Sequence, residues 1–137
     1  MKLVFAVLGL LFFTFGAFAQ DYSCEKLKSN EITQKSYSAI VVIKEDKTFQ
    51  VVKGIAQLNE QPLENVFVEV FIDKNPNRID GCKTGANGRF SFPNLKKGNY
   101  TLRLSKDGGY RLTEIKIKVS PKSKNKNVIN GEILLGV

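Results

Sequence analysis

Gly85-Ala86-Asn87-Gly88-Arg89-Phe90-Ser91-Phe92, followed by Lys96-Lys97-Gly98-Asn99-Tyr100-Thr101-Leu102-Arg103-Leu104, decides the fold class of this 137-residue chain. Asn-Gly favours the positive φ angles of a tight hairpin turn. Beyond it, Phe90 and Phe92 fall on one face of an extended strand, with Arg89 and Ser91 on the other. After the Gly98-Asn99 turn the pattern repeats, with Tyr100, Leu102 and Leu104 alternating with Thr101, Arg103 and Ser105. A period of two between turn residues is the signature of half-buried β-strands.

The same texture extends outward. Downstream, Asp107-Gly108-Gly109 is a turn, Ile115, Ile117 and Val119 alternate with outward Lys116 and Lys118, and a lysine-rich link (120–127) leads to a last strand from Val128 to Leu135. Upstream, Val66 to Ile72 is apolar on both faces except at Glu69, as a central sandwich strand would be. Asp73 to Gly81 reads as a polar loop and Asn59-Glu60-Gln61-Pro62 as a turn. Thr48 to Leu58 is a further run, with Val52, Gly54, Ala56 and Leu58 on one face. Ala39 to Ile43 is β-branched and is broken by Glu45-Asp46-Lys47. The expected fold is all-β, an antiparallel Greek-key sandwich of about seven strands.

The first nineteen residues form a separate object. Lys2 precedes a nearly continuous apolar run from Leu3 to Phe18, closed by Ala17-Phe18-Ala19. A charged start, a short apolar core and an A-x-A end describe a secretory signal peptide cleaved before Gln20. The run is shorter than the roughly 20 apolar residues of a spanning helix. The expected organisation is a signal peptide at 1–19, a polar segment at 20–37 with room for one helical turn, and a sandwich domain at 38–137. Removing Lys2 lowers the whole-chain net charge of +8 by one unit.

Composition narrows the function. The chain contains no histidine, which removes Ser-His-Asp and Cys-His catalysis, most zinc sites and the usual base near neutral pH. It also lacks tryptophan, the strongest stacking platform for sugars and bases. Its two cysteines, Cys24 and Cys82, are expected to pair in an oxidising compartment. No catalytic residue, cofactor or resident metal is expected.

Four blocks carry a family resemblance. Lys53-Gly54-Ile55-Ala56 with Gln61-Pro62-Leu63-Glu64-Asn65-Val66-Phe67-Val68 resembles the G-x-V … G-x-P-L-x-G-A-x-V opening of carboxypeptidase regulatory-like domains. Thr84 to Phe92 is similar to their T-x-x-x-G-x-F-x-F hairpin, Asn94 to Leu102 to x-L-x-x-G-x-Y-x-L, and Gly109-Tyr110 to the closing Gly-Tyr. The resemblance implies a prealbumin-like sandwich and a mostly non-catalytic role, but no ligand. Asn65-Val66 stands where the family has Gly-Ala.

Several residues invite sharper readings. Asp73, Asn75, Asn77 and Asp80 begin like a calcium loop. Its sixth position is Arg78 and its twelfth Thr84, so a solvated loop is the reading kept. Resemblance to the cousin pilin- and adhesin-type sandwiches implies Lys53 and Asn130, with Glu69 as catalyst, for an isopeptide cross-link, but Ser105-Lys106 stands where that family has Glu-Thr. Asn99-Tyr100-Thr101 fits a glycosylation acceptor that a Gly-x-Tyr-x-Leu strand produces for structural reasons. Arg111, Lys116, Lys118 and Lys122 form a candidate patch for an anionic ligand, set against solubility and edge protection. The expected function is an exported, non-catalytic binding module contacting a protein or anionic polysaccharide at the cell envelope. A structural subunit or adhesin-like spacer is the alternative. Nucleic acid is not an expected partner, and membrane contact is expected only through the cleaved signal.

Overall fold

The computed structural model describes residues 21–29, 31 and 40–135. The expected signal peptide, 1–19, lies outside them. Ten strands and no helix are found among the described residues: β1 (Glu25–Lys26), β2 (Ile40–Phe49), β3 (Val52–Leu58), β4 (Gln61–Pro62), β5 (Phe67–Ile72), β6 (Arg78–Lys83), β7 (Arg89–Phe92), β8 (Gly98–Ser105), β9 (Leu112–Val119) and β10 (Ile129–Glu132). They form a six-stranded sheet, β1-β6-β5-β8-β9-β2, and a smaller sheet in which β3 is flanked by β10 on one side and by β4 and β7 on the other.

Alternation drives the packing. Val68 and Val70 of β5, Leu102 and Leu104 of β8, and Ile115 and Ile117 of β9 point toward Val52, Ala56, Phe90 and Phe92 of the smaller sheet, and all are buried. Each such side chain contributes roughly 1.5–3 kcal/mol by leaving water. Gly88 closes the hairpin into β7 with φ 70°. A Cβ there would also lie 2.6 Å from the Ala56 carbonyl oxygen, so both backbone angle and space require glycine.

Three sequence expectations are corrected. The sandwich is not wholly antiparallel, because β2 runs parallel to β9 and β3 parallel to β10. The reason is topological: β2 and β9 both deliver the chain to the same end of the molecule, where it changes sheets to begin β3 and β10. Glu45-Asp46-Lys47 does not end β2 but forms a bulge, the register slipping between Lys44 and Thr48, and bulges absorb such residues without ending pairing. Arg78 to Gly81, read as loop, belongs to β6, which pairs with β5 and β1. Its polar sequence is tolerated because Cys82 is its main core contribution.

The described N-terminal residues staple one side of the sandwich. Tyr22 is buried beneath the cations of Lys53 and Arg89, 5.3 and 5.0 Å from its ring. Cys24 is bonded to Cys82 across 58 residues of sequence. β1 then pairs with β6, and the Leu27 N–H donates to the Gly81 carbonyl at 3.0 Å. The described part of this segment forms this strand and a turn closed by the Glu31 N–H on the Lys28 carbonyl; the rest of the stretch with room for a helical turn lies outside the described residues.

Candidate binding surface

Strand direction decides which side chains meet. β5, β9 and β2 run toward one end of the sandwich, and β8, β6 and β3 leave from it. The connections 49–51, 73–77, 93–97 and 120–128 therefore share that end. The last is tied down by the Gln50 N–H on the Asn125 carbonyl (2.9 Å), the Ser120 N–H on the Phe49 carbonyl (2.9 Å) and the Ser123 hydroxyl on the Thr48 carbonyl (2.8 Å).

The four residues of the expected basic patch separate in this frame. Lys118 and Lys122 lie at the shared end, both exposed. Lys116 is already engaged, its ammonium donating to Thr101 Oγ1 at 2.9 Å and pairing with Asp73 at 3.3 Å. Arg111 precedes β9 at the opposite end, roughly 23 Å from Lys118 at strand rise. In its place topology brings Lys96 and Lys97, because Gly98 pairs with Val119. Sequence reasoning passed over these two as turn residues; their spacing from a strand end was the available signal.

The other sharp readings disperse. Asp73 serves Lys116, Asn75 Oδ1 accepts the Asn77 N–H at 2.9 Å, and Asp80 accepts the Gly81 N–H at 2.8 Å while pairing with Lys26. No group of three acidic or cysteine side chains is placed to hold a metal among the described residues. Lys53 and Asn130 face outward from the smaller sheet, whereas Glu69 faces outward from the larger one, where Arg78 meets it at 2.9 Å. The three isopeptide residue types thus lie on opposite surfaces. Asn99 sits in β8, its carbonyl accepting the Asp73 N–H.

Glu69 and Arg78 are the most buried ion pair described, with side chains 7% and 14% exposed. Arg78 also donates to the Lys28 carbonyl at 2.7 Å, so the pair joins the N-terminal staple to β5. Glu69 Oε1 is buried without a hydrogen bond among the described residues. Next along this face, Arg103 lies over the Phe71 ring at 4.7 Å and pairs with Glu114 at 3.0 Å. Apart from Glu69 Oε1, the charged groups of this face pair with one another among the described residues. Near the N-terminus, the Ser23 N–H holds the Asp21 carboxyl below its usual range.

A family model, the carboxypeptidase regulatory-like domain, matches residues 52–130, which run from β3 to the start of β10. The chain belongs to the carboxypeptidase regulatory-like domain family. No curated protein is similar enough to the chain to stand as a relative. Against the family's pattern, Asn65 occupies a glycine position with φ 61°, and asparagine is among the few residues that tolerate this left-handed region. β1 and β2 lie outside the matched stretch. They pair at the two edges of the family domain's larger sheet, on β6 and β9. Among the described residues no helix is long and apolar enough to cross a membrane.

Proposed function

We propose that this chain is an exported, non-catalytic accessory module that contacts an anionic polysaccharide or a protein of the cell envelope. The observation that carries the reading is the family match over 52–130, a family of non-catalytic β-sandwich modules. Export is supported by the Cys24–Cys82 disulfide, since such bonds persist in oxidising compartments. On this reading the chain loses 1–19, and its sandwich has the Greek-key, prealbumin-like arrangement of the family. The absence of histidine from the sequence supports the non-catalytic part.

Two measurements test it. Expression of the full chain should yield an exported protein beginning at Gln20 with both cysteines oxidised; an uncleaved, reduced protein in the cytoplasm contradicts export. The exported protein should bind an immobilised acidic polysaccharide or an envelope protein at low ionic strength, and absence of any binding contradicts the module reading. A structural subunit or adhesin-like spacer is the second reading, favoured by β2. This strand ends the larger sheet with Ile40 and Val42 exposed by 56% and 52%, and an exposed apolar stretch of edge strand, here ahead of the protecting bulge, favours strand-to-strand association. Concentration-dependent self-association in sedimentation would support it, and a monomer at every concentration would remove it.

A further inference from the structure

We propose that the end of the sandwich formed by the connections 49–51, 73–77, 93–97 and 120–128 is the docking surface for an acidic polysaccharide. The inference rests on the module reading above and names its site and ligand class. Residues 45–51, 72–77, 93–99 and 118–128 make up this end, and they contain eight lysines against three acids, Glu45, Asp46 and Asp73. Four of the eight lie in 118–128; the others are Lys47, Lys74, Lys96 and Lys97. Asp73 is already paired with Lys116. All eight lysines are exposed, and none is within ion-pair distance of a carboxylate among the described residues.

The opposite end differs. Its connections 59–66, 84–88 and 105–111 hold Lys106 and Arg111 against Glu60, Glu64 and Asp107. The excess of five positive charges at one end is thus more than half of the whole-chain +8. Edge protection does not account for it. Of the eight, only Lys47 lies on an edge strand; Lys118 is on β9, inside the sheet, and the rest lie in turns. Unpaired like charges held together by rigid strands repel one another, and a bound polyanion relieves that repulsion.

The geometry points to a polymer. The lysines are spread over four connections rather than gathered round a cavity. The cleft at their margin, about 330 Å³, is lined by Glu45, Asp46 and Asp73 as well as lysines, which disfavours a small anion. Three strand spacings from β5 to β2 give the end a width of roughly 14 Å, enough for several sugar units. Exposed Asn75, Asn94 and Asn127 lie among the lysines and suit sugar hydroxyls. Ile72 is the only large hydrophobic exposed at this end among the described residues, so the surface offers little for insertion into a bilayer.

The test uses the exported chain with polygalacturonate, and with phosphatidylglycerol vesicles as the lipid arm. One variant carries Lys74→Glu, Lys97→Glu and Lys122→Glu; a second, with the same change in net charge, carries Lys28→Glu, Lys106→Glu and Arg111→Glu. Circular dichroism and unfolding midpoints confirm that both fold. The first variant should lose at least about tenfold in affinity at low salt and the second less than about threefold, the wild-type affinity falling steeply as salt screens the contacts. Equal losses would overturn the proposal in favour of net charge alone. Wild-type binding that neither variant weakens would overturn the site and leave the module reading standing. Tighter, lysine-dependent binding to vesicles than to polygalacturonate would overturn the ligand class. No binding to polygalacturonate by the wild type, with capture of an envelope protein intact, overturns this inference alone; loss of both overturns the module reading as well.

Discussion

Breaking the Cys24–Cys82 bond gives the sharpest stability prediction. The bond joins residues separated by 58 positions, and closing a loop of that size lowers the entropy of the unfolded chain enough to stabilise by about 4 kcal/mol. Cys82 is in the core and 1% exposed, while Cys24 is only partly buried at its margin. Cys24→Ser therefore removes the cross-link while leaving the core thiol in place. Urea unfolding of this variant should show a stability about 4 kcal/mol below the oxidised wild type. At about 4 °C per kcal/mol, the thermal midpoint should fall by about 15 °C. Wild-type protein unfolded in reductant should match the variant. A loss below about 1 kcal/mol, or a reduced wild type as stable as the oxidised one, would refute the loop-closure reasoning.

Other outcomes follow from single contacts. Gly54→Ala would place a Cβ 2.5 Å from both the Ile129 carbonyl oxygen and the Phe90 ring; it should cost about 3 kcal/mol or more in urea unfolding, since backbone lies on one side and a buried ring on the other. Arg78→Ala strands the buried Glu69 carboxylate and should cost about 3–5 kcal/mol, whereas Glu69→Leu combined with Arg78→Leu should recover most of that loss. A double variant as unstable as the single one would contradict a charge-based cost. Intact mass should show the loss of two hydrogens for the disulfide and no loss of ammonia beyond cyclisation of the N-terminal Gln20, because Lys53 and Asn130 face away from Glu69; ammonia loss abolished by Lys53→Arg would contradict that geometry.

Strand identity was largely legible because side-chain alternation is local. Phe90 and Phe92, Tyr100 to Leu104, and Ile115 to Val119 announce their faces within a few residues. β6 was not legible, since Arg78-Ile79-Asp80-Gly81 carries little apolar pattern and is held by its pairing with β5, while β1 pairs only with Cys82 and Lys83. Nor was the continuation of β2 through Glu45-Asp46-Lys47, where a bulge replaces the expected turn. The parallel pairs depend on where the chain changes sheets, which no local period records. The basic surface was hidden for the same reason. Lys74, Lys96, Lys97 and Lys122 are scattered in sequence, and only strand direction brings them to one end, while it sends Arg111 to the other.

The most direct test of the account is residue-resolved. Backbone amides of the isotope-labelled exported chain are followed by NMR while polygalacturonate is added at low salt. The account predicts shifts confined to 45–51, 72–77, 93–99 and 118–128, reversed by added salt. Shifts centred on Lys106 and Arg111, or spread evenly over the exposed lysines, would contradict it.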